Sequence, residues 1–114
     1  MAIVNITCEN DADFYRQFAY QFQDGTPIDL TGSAMRMGIR HRATDAHEDL
    51  LLTTENGGIA IVDATHGKFT VRITQAQLER LQLGDYEHSL IRMFSGMHLR
   101  VWSGSLINNA GASR

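Results

Sequence analysis

The sequence predicts an all-β chain: an antiparallel β-sandwich, immunoglobulin-like or jelly-roll-like, of about seven or eight short strands with one short helix near residues 75–82. Three observations carry that expectation. Apolar residues recur with a period of two in segment after segment, turn signals rich in Gly, Asn and Asp separate those segments, and only one stretch has helical spacing. Side chains alternate across a strand, so this period lets each ribbon bury one side and wet the other.

A chain of 114 residues has room for one domain with a modest core. The expected division is a sandwich over residues 1–106 and a small polar tail over 107–114, INNAGASR, without fixed structure. An apolar share of 43% and a charged share of 20% are those of an ordinary globular chain. The net charge of −3 argues against nucleic-acid binding through a broad basic surface. No apolar run approaches the roughly 20 residues of a membrane span, so no membrane partner is expected. MAIVNIT also lacks the basic start and long apolar stretch of a secretion signal. Cys8, the one cysteine, has no partner for an internal disulfide. It is expected as a small buried residue rather than a reactive thiol, in a protein made in a reducing cytosol.

Residues 2–7, AIVNIT, are β-branched and apolar enough for a short edge strand. Glu9, Asn10, Asp11 and Asp13 then make a polar turn. Beyond it Phe14, Phe18, Tyr20 and Phe22 share one side, broken by Arg16, with Gln17, Ala19 and Gln21 on the other. Asp24-Gly25-Thr26-Pro27 closes that segment. Gly32 bends the backbone before Ser33 to Arg40, where Met35, Met37 and Ile39 alternate with Arg36, Gly38 and Arg40. The charged stretch His41 to Asp49 has no apolar period and is expected as an exposed loop. Leu50 to Thr54 makes a short strand, and Asn56-Gly57 is a hairpin cue leading into Ile59 to Val62. Phe69, Val71 and Ile73 continue the alternation after a turn at 63–67.

The single helical stretch follows. Thr74 and Gln77 have the spacing of a capping box, Leu78 and Leu81 lie one turn apart, and Gly84 is placed to end the helix. So short a helix has no stability of its own and is expected to lid one open end of the sheets through its two leucines.

The last and longest pairing organises the rest. DYEHSLIRMF, a Ser95-Gly96 turn and MHLRVWSGSL form a hairpin from Asp85 to Leu106, with Phe94 opposite Met97, Arg92 opposite Leu99 and Leu90 opposite Val101. One face collects Tyr86, Leu90, Phe94, Met97, Leu99 and Val101, interrupted by Arg92; it is the expected core face. The other carries Glu87, Ser89, Ile91, Met93, His98, Arg100 and Trp102.

No catalytic, cofactor-binding or metal-binding residues emerge. His41, His47, His66, His88 and His98 have no compact ligand spacing and are expected solvated or singly hydrogen-bonded. His41, Asp45, His47, Glu48 and Asp49 could together hold a metal, but a charged surface loop accounts for them as well. Ser103-Gly104-Ser105 is no nucleophile elbow, and Gly57-Gly58 has neither the helix nor the Lys-Ser/Thr of a phosphate loop. Asp24 and Asp29 fit bonding within their turn better than paired acid–base work. With no convergent nucleophile, base and orienting group, an enzyme is not expected. The residues that stand out form a candidate interface: Tyr15, Ile91, Met93, Arg100 and Trp102, of types enriched in protein–protein contacts. Trp102 has two readings at this point, an exposed interface residue or one covered by a second sheet or the N-terminal strand.

Taken together, DGTPIDLTG, SAMRMGIR, LLLTTENGGI, GKFTVRIT, ITQAQLERLQLGDYEHSLI and the glycine-bearing RVWSGSL resemble a recurrent small protein encoded among tail and baseplate genes of tailed bacteriophages. The stretch from Phe14 to Leu106 is similar in style to the N-terminal domain of siphophage baseplate upper proteins. The resemblance implies a β-sandwich virion building block, located in the tail after synthesis in the host cytoplasm, that joins tail, baseplate or fibre components. It also implies a homo-oligomer, a trimer or a higher symmetric assembly, and supplies no catalytic residues. The rival expectation is a carbohydrate-binding or host-surface module using Tyr15, Trp102 and the 41–49 loop.

Overall fold

A computed structural model describes residues 2–113; Met1 and Arg114, at the two ends of the expected domain and tail, lie outside that range. The strands are β1 (Ala2–Ile3), β2 (Ile6–Glu9), β3 (Phe14–Ala19), β4 (Ala34–Arg40), β5 (Leu50–Thr53), β6 (Ile59–Asp63), β7 (Lys68–Ile73), β8 (Gly84–Phe94) and β9 (Met97–Asn109). A 3₁₀ turn at Ala64–His66 precedes β7, and the helix α1 (Gln75–Arg80) follows it.

Two sheets pack face to face, as the alternation predicts. The larger runs β1–β9–β8–β4–β5, with β2 also on β9, and the smaller runs β3–β7–β6. β1 and β2 are parallel to β9, two pieces of one edge, while every other strand pairing is antiparallel. Met35, Met37 and Ile39 of β4 and Leu90 of β8 are fully buried beneath Ile59, Phe69, Val71 and Ile73 of the smaller sheet. Burial of this kind is worth roughly 25 cal/mol per Å² of apolar surface and is the principal force holding the sheets together.

The helix starts as its capping box requires. Thr74 Oγ1 accepts from the Gln77 N–H at 3.2 Å, and Gln77 Oε1 accepts from the Thr74 N–H at 2.9 Å. Leu78 is buried, and Asn108 of β9 donates to its carbonyl at 2.9 Å, which fastens the helix to the larger sheet. The helix ends at an extended Leu81 rather than at Gly84, which instead opens β8.

Three further expectations change. The Asn56-Gly57 turn does not close a hairpin: β5 and β6 belong to different sheets, and residues 54–58 cross between them. Leu52 and Ile59 are both buried in the shared core, and burial on facing layers outweighs the local turn cue. The tail is largely ordered, because β9 continues to Asn109 against β2, Gly111 N donates to Asn10 Oδ1 at 2.8 Å, and Ser113 N donates to Asp11 Oδ2 at 3.2 Å.

The third change lies in the hairpin. Its tip has the expected register, with Phe94 opposite Met97 and Arg92 opposite Leu99, and both turn residues hold positive φ, 52° at Ser95 and 78° at Gly96. Past Ile91–Arg100 the register shifts, so Leu90 faces Trp102 instead of Val101. A bulge of this kind inserts one residue and flips the side-chain parity of everything beyond it. Trp102 therefore turns inward. The expected break at Arg92 is real but satisfied: it is buried, donating from Nε to Ser33 Oγ at 2.8 Å and from Nη2 to the Asp29 carbonyl at 2.9 Å.

Candidate functional site

The bulge decides where the candidate interface residues go. Trp102 is 3% exposed and sits in an aromatic cluster, its ring centroid 4.6 Å from Phe18 and 5.7 Å from Phe69. As an interface residue it is corrected: a second sheet covers it, the alternative left open by the sequence. Tyr15 is 65% exposed on the outer face of the smaller sheet, opposite Arg72. Ile91 and Met93 are half-buried, and Arg100 is exposed, on the outer face of the larger sheet. The five residues thus form no single patch. Tyr15 lies on one side of the sandwich, Ile91, Met93 and Arg100 on the other, and Trp102 between.

What the structure does gather is a trough on the outer face of the larger sheet, with a volume of about 550 Å³. Its floor is a row of small residues placed by strand register: Gly38 pairs with Ser89, and Ser89 pairs with Ser103. The flanking rows are Arg36, Ile91 and Arg100 on one side and Arg40, Glu87 and Ser105 on the other. Two residues along a strand share a face, so Arg36, Gly38 and Arg40 all point out of β4.

The 41–49 loop, expected as a free surface loop, is exposed through His47 but folds back over this trough. The Ala43 N–H donates to the Glu87 carboxylate, and Arg40 Nη1 donates to the Asp45 and Ala46 carbonyls at 3.1 and 2.8 Å. At the loop's base His41 and His47 meet Asp49 at 3.1 and 3.5 Å. Glu48 is delivered over Gly38, where it pairs with Arg36 at 3.3 Å and Arg40 at 3.5 Å. A Cβ at Gly38 would lie 2.6 Å from Glu48 Oε2, so any side chain there would push the carboxylate off its seat. A glycine between two arginines in a strand is the one sequence signal that could have pointed to this close approach.

A second concavity, about 810 Å³, opens at the mouth of the sandwich between the β1 and β3 edges and is lined by Val4, Phe18, Tyr20, Phe22, Val101 and Trp102. Trp102 Nε1 is buried there without a hydrogen-bond partner among the described residues.

Several other titratable groups are tied into turns or buried. Asp24 accepts the Thr26 N–H at 2.9 Å, and Asp29 accepts the Thr31 hydroxyl at 2.6 Å and the Thr31 N–H at 2.9 Å; those turn bonds, the hydroxyl foremost at Asp29, hold both carboxyls below their ordinary range. His66 lies 2.8 Å from Asp63, and that bond lowers the Asp63 carboxyl. Burial pushes the Cys8 thiol up to about 11, with the Glu9 charge adding to the effect and Arg16 opposing it. Burial likewise pushes the His88 imidazole below its usual 6.5, against the pull of the Val4 and Ser105 carbonyls. No set of three or more His, Cys, Asp or Glu among the described residues is arranged to hold a metal ion.

No protein-family model matches the chain, and no curated protein matches it.

Proposed function

We propose that the chain is a non-enzymatic structural protein of a tailed-phage particle, a tail, baseplate or fibre-attachment block that assembles through protein–protein contacts as a homo-oligomer. One observation carries the assembly part of this reading: among the described residues the smaller sheet ends in β3 and β6 with no strand beyond either, whereas the outer Thr53 N–H and Leu51 carbonyl of β5, at the end of the larger sheet, are taken by the Asn56 side chain. An unpaired strand edge is a template for a neighbouring chain. The exposed apolar residues Tyr15, Val62, Phe94 and Met97 add surface of the kind that symmetric contacts cover. The phage setting rests on the resemblance of the stretch from Phe14 to Leu106. Mass spectrometry of purified particles tests it, with the polypeptide expected at a fixed stoichiometry to the tail proteins. Infective particles with intact tails that lack it would remove the reading. Sedimentation of the purified chain tests assembly, a trimer or larger ring being expected and a monomer at micromolar concentration counting against it.

The trough favours a second reading, a carbohydrate or host-surface binding module, because seryl hydroxyls and guanidinium forks suit polar, acidic ligands. A glycan array probed with the assembled protein separates the two.

A further inference from the structure

We propose that the outer trough of the larger sheet is a docking seat for an acidic side chain of a partner protein, and that Glu48 fills the seat until the partner arrives. The proposal takes from the assembly reading only that the partner is a protein.

Charge complementarity identifies the occupant. Arg36 and Arg40 point into the trough from one strand, four residues apart on either side of Gly38, and the group between them is a carboxylate carried by a peptide loop. The chain therefore shows within itself which chemistry the seat accepts: a glutamate carboxylate lying above a floor of small residues. Gly38, Ser89 and Ser103 make that floor, so an incoming segment can approach the sheet closely and meet hydroxyl groups beside the guanidinium forks. At about 550 Å³ the trough is larger than one carboxylate needs and lies within the range of ligand sites.

Glu48 is held loosely enough to leave. Its contacts with Arg36 run at 3.3 and 3.4 Å and that with Arg40 at 3.5 Å, whereas charge-assisted N–H···O bonds close to about 2.7–2.9 Å. The Arg36 side chain is 43% exposed, so water competes for the pair. A partner carboxylate that met Arg36 in a bidentate fork would make shorter bonds than Glu48 does. Meanwhile the loop keeps other anchors, through Ala43 to Glu87 and through Arg40 to two carbonyls, so release of Glu48 does not require the loop to unfold.

The test uses the whole chain and a fluorescein-labelled hexapeptide, Gly-Glu-Ser-Glu-Gly-Glu, read by anisotropy at low salt and by amide NMR shifts. Its all-glutamine counterpart and free glucuronate are the comparison probes. Glu48→Gln is expected to bind the acidic peptide up to about fivefold more tightly than the natural chain, the fold-change a surface pair of this exposure can withhold. Arg36→Gln is expected to weaken binding about tenfold or more and to abolish peptide-induced shifts at Gly38, Ser89 and Ser103. Ser89→Leu, which fills the floor without changing charge, is expected to lose binding as well. Unchanged or weaker binding by Glu48→Gln, no binding by that variant, or equal affinity for the glutamine peptide would each overturn the seat. Glucuronate shifting the same amides while the peptide shifts none would replace the protein partner with an acidic sugar. Absence of the chain from phage particles would remove the virion reading and leave these peptide results standing.

Discussion

The two faces of β4, β8 and β9 are built from the same backbone and obey different rules. Inward, Met35, Met37, Ile39, Leu90, Trp102 and Leu106 all lie against another layer and are buried. Outward, the same strands present Arg36, Gly38, Arg40, Ser89 and Ser103, a set that strand propensity alone would not choose. The inner face answers to packing, where residue size and apolarity decide. Among the described residues the outer face has no opposing sheet, and its small floor and paired arginines make sense against the Glu48 carboxylate that the 41–49 loop carries. The contrast implies that substitutions inside should change stability, and substitutions outside should change mainly what the surface holds.

Trp102 gives the largest expected effect and the most direct way to break that contrast. Trp102→Ala should cost about 3–5 kcal/mol in denaturant midpoint analysis, the loss typical of a large aromatic removed from a core. Trp102→Phe should cost roughly half of that or less, because the buried indole N–H has no partner to lose. A Trp102→Ala protein that remains fully stable but fails to assemble would restore the indole to the surface and undo the assigned register.

Gly104 comes next. A Cβ there would overlap the Val4 carbonyl, a backbone atom with little freedom because the Val4 N–H donates to the Ser103 carbonyl at 2.9 Å. Gly104→Ala should therefore push the N-terminal strand off β9 at a cost of about 1–3 kcal/mol. Amide exchange at Val4 should accelerate well beyond the change at Leu90, whose strand is held from both sides. Equal acceleration at both positions would mean that the edge and the centre of this sheet unfold as one unit.

How much of this was legible beforehand depended on whether the deciding contact was local. The alternation of Met35, Met37 and Ile39 showed the inner face of β4, the Thr74–Gln77 spacing showed the helix start, and Ser95-Gly96 set the hairpin tip. Each is a short-range pattern with a physical cause inside a few residues. The bulge was not legible, because Val101 and Trp102 are both apolar and nothing in Arg100-Val101-Trp102 marks an extra residue. The Asn56-Gly57 cue showed a turn but not which sheets it would join, since that is settled by where Leu52 and Ile59 are buried. Of the trough, the outward parity of Arg36, Gly38 and Arg40 was visible. The rest arrives by pairings across more than fifty residues, Ser89 against Gly38, and by a loop whose sequence shows only charge.

His88 sharpens the comparison through pH. It faces inward on β8, 4% exposed, with Nε2 at 3.2 Å from the Ser105 carbonyl. Its folded pKa is depressed by burial, so between that value and the usual 6.5 the unfolded chain binds the proton that the folded chain refuses. Stability should therefore fall as pH drops through 6.5 and level off once pH lies below the folded value. His88→Leu should flatten this limb of a melting-temperature profile. A limb that survives His88→Leu would assign the proton uptake to another group.

The smallest effect belongs to the outer face. Glu48→Gln removes one carboxylate from between Arg36 and Arg40, side chains 43% and 29% exposed, and a pair of such exposure contributes less than about 1 kcal/mol. The melting temperature should shift little, and less still at high salt, where a Debye length of about 3 Å at 1 M screens what remains. The loop should stay docked, because the Ala43–Glu87 bond does not involve Glu48, Arg40 Nη1 keeps its bonds to the Asp45 and Ala46 carbonyls, and the base is tied by the Asp49 N–H donating to the Ile39 carbonyl at 2.9 Å. A loss comparable to that of Trp102→Ala would show that Glu48 is a structural pillar of the larger sheet. In that case the outer face would answer to stability just as the inner one does, and the division between the two faces would fall.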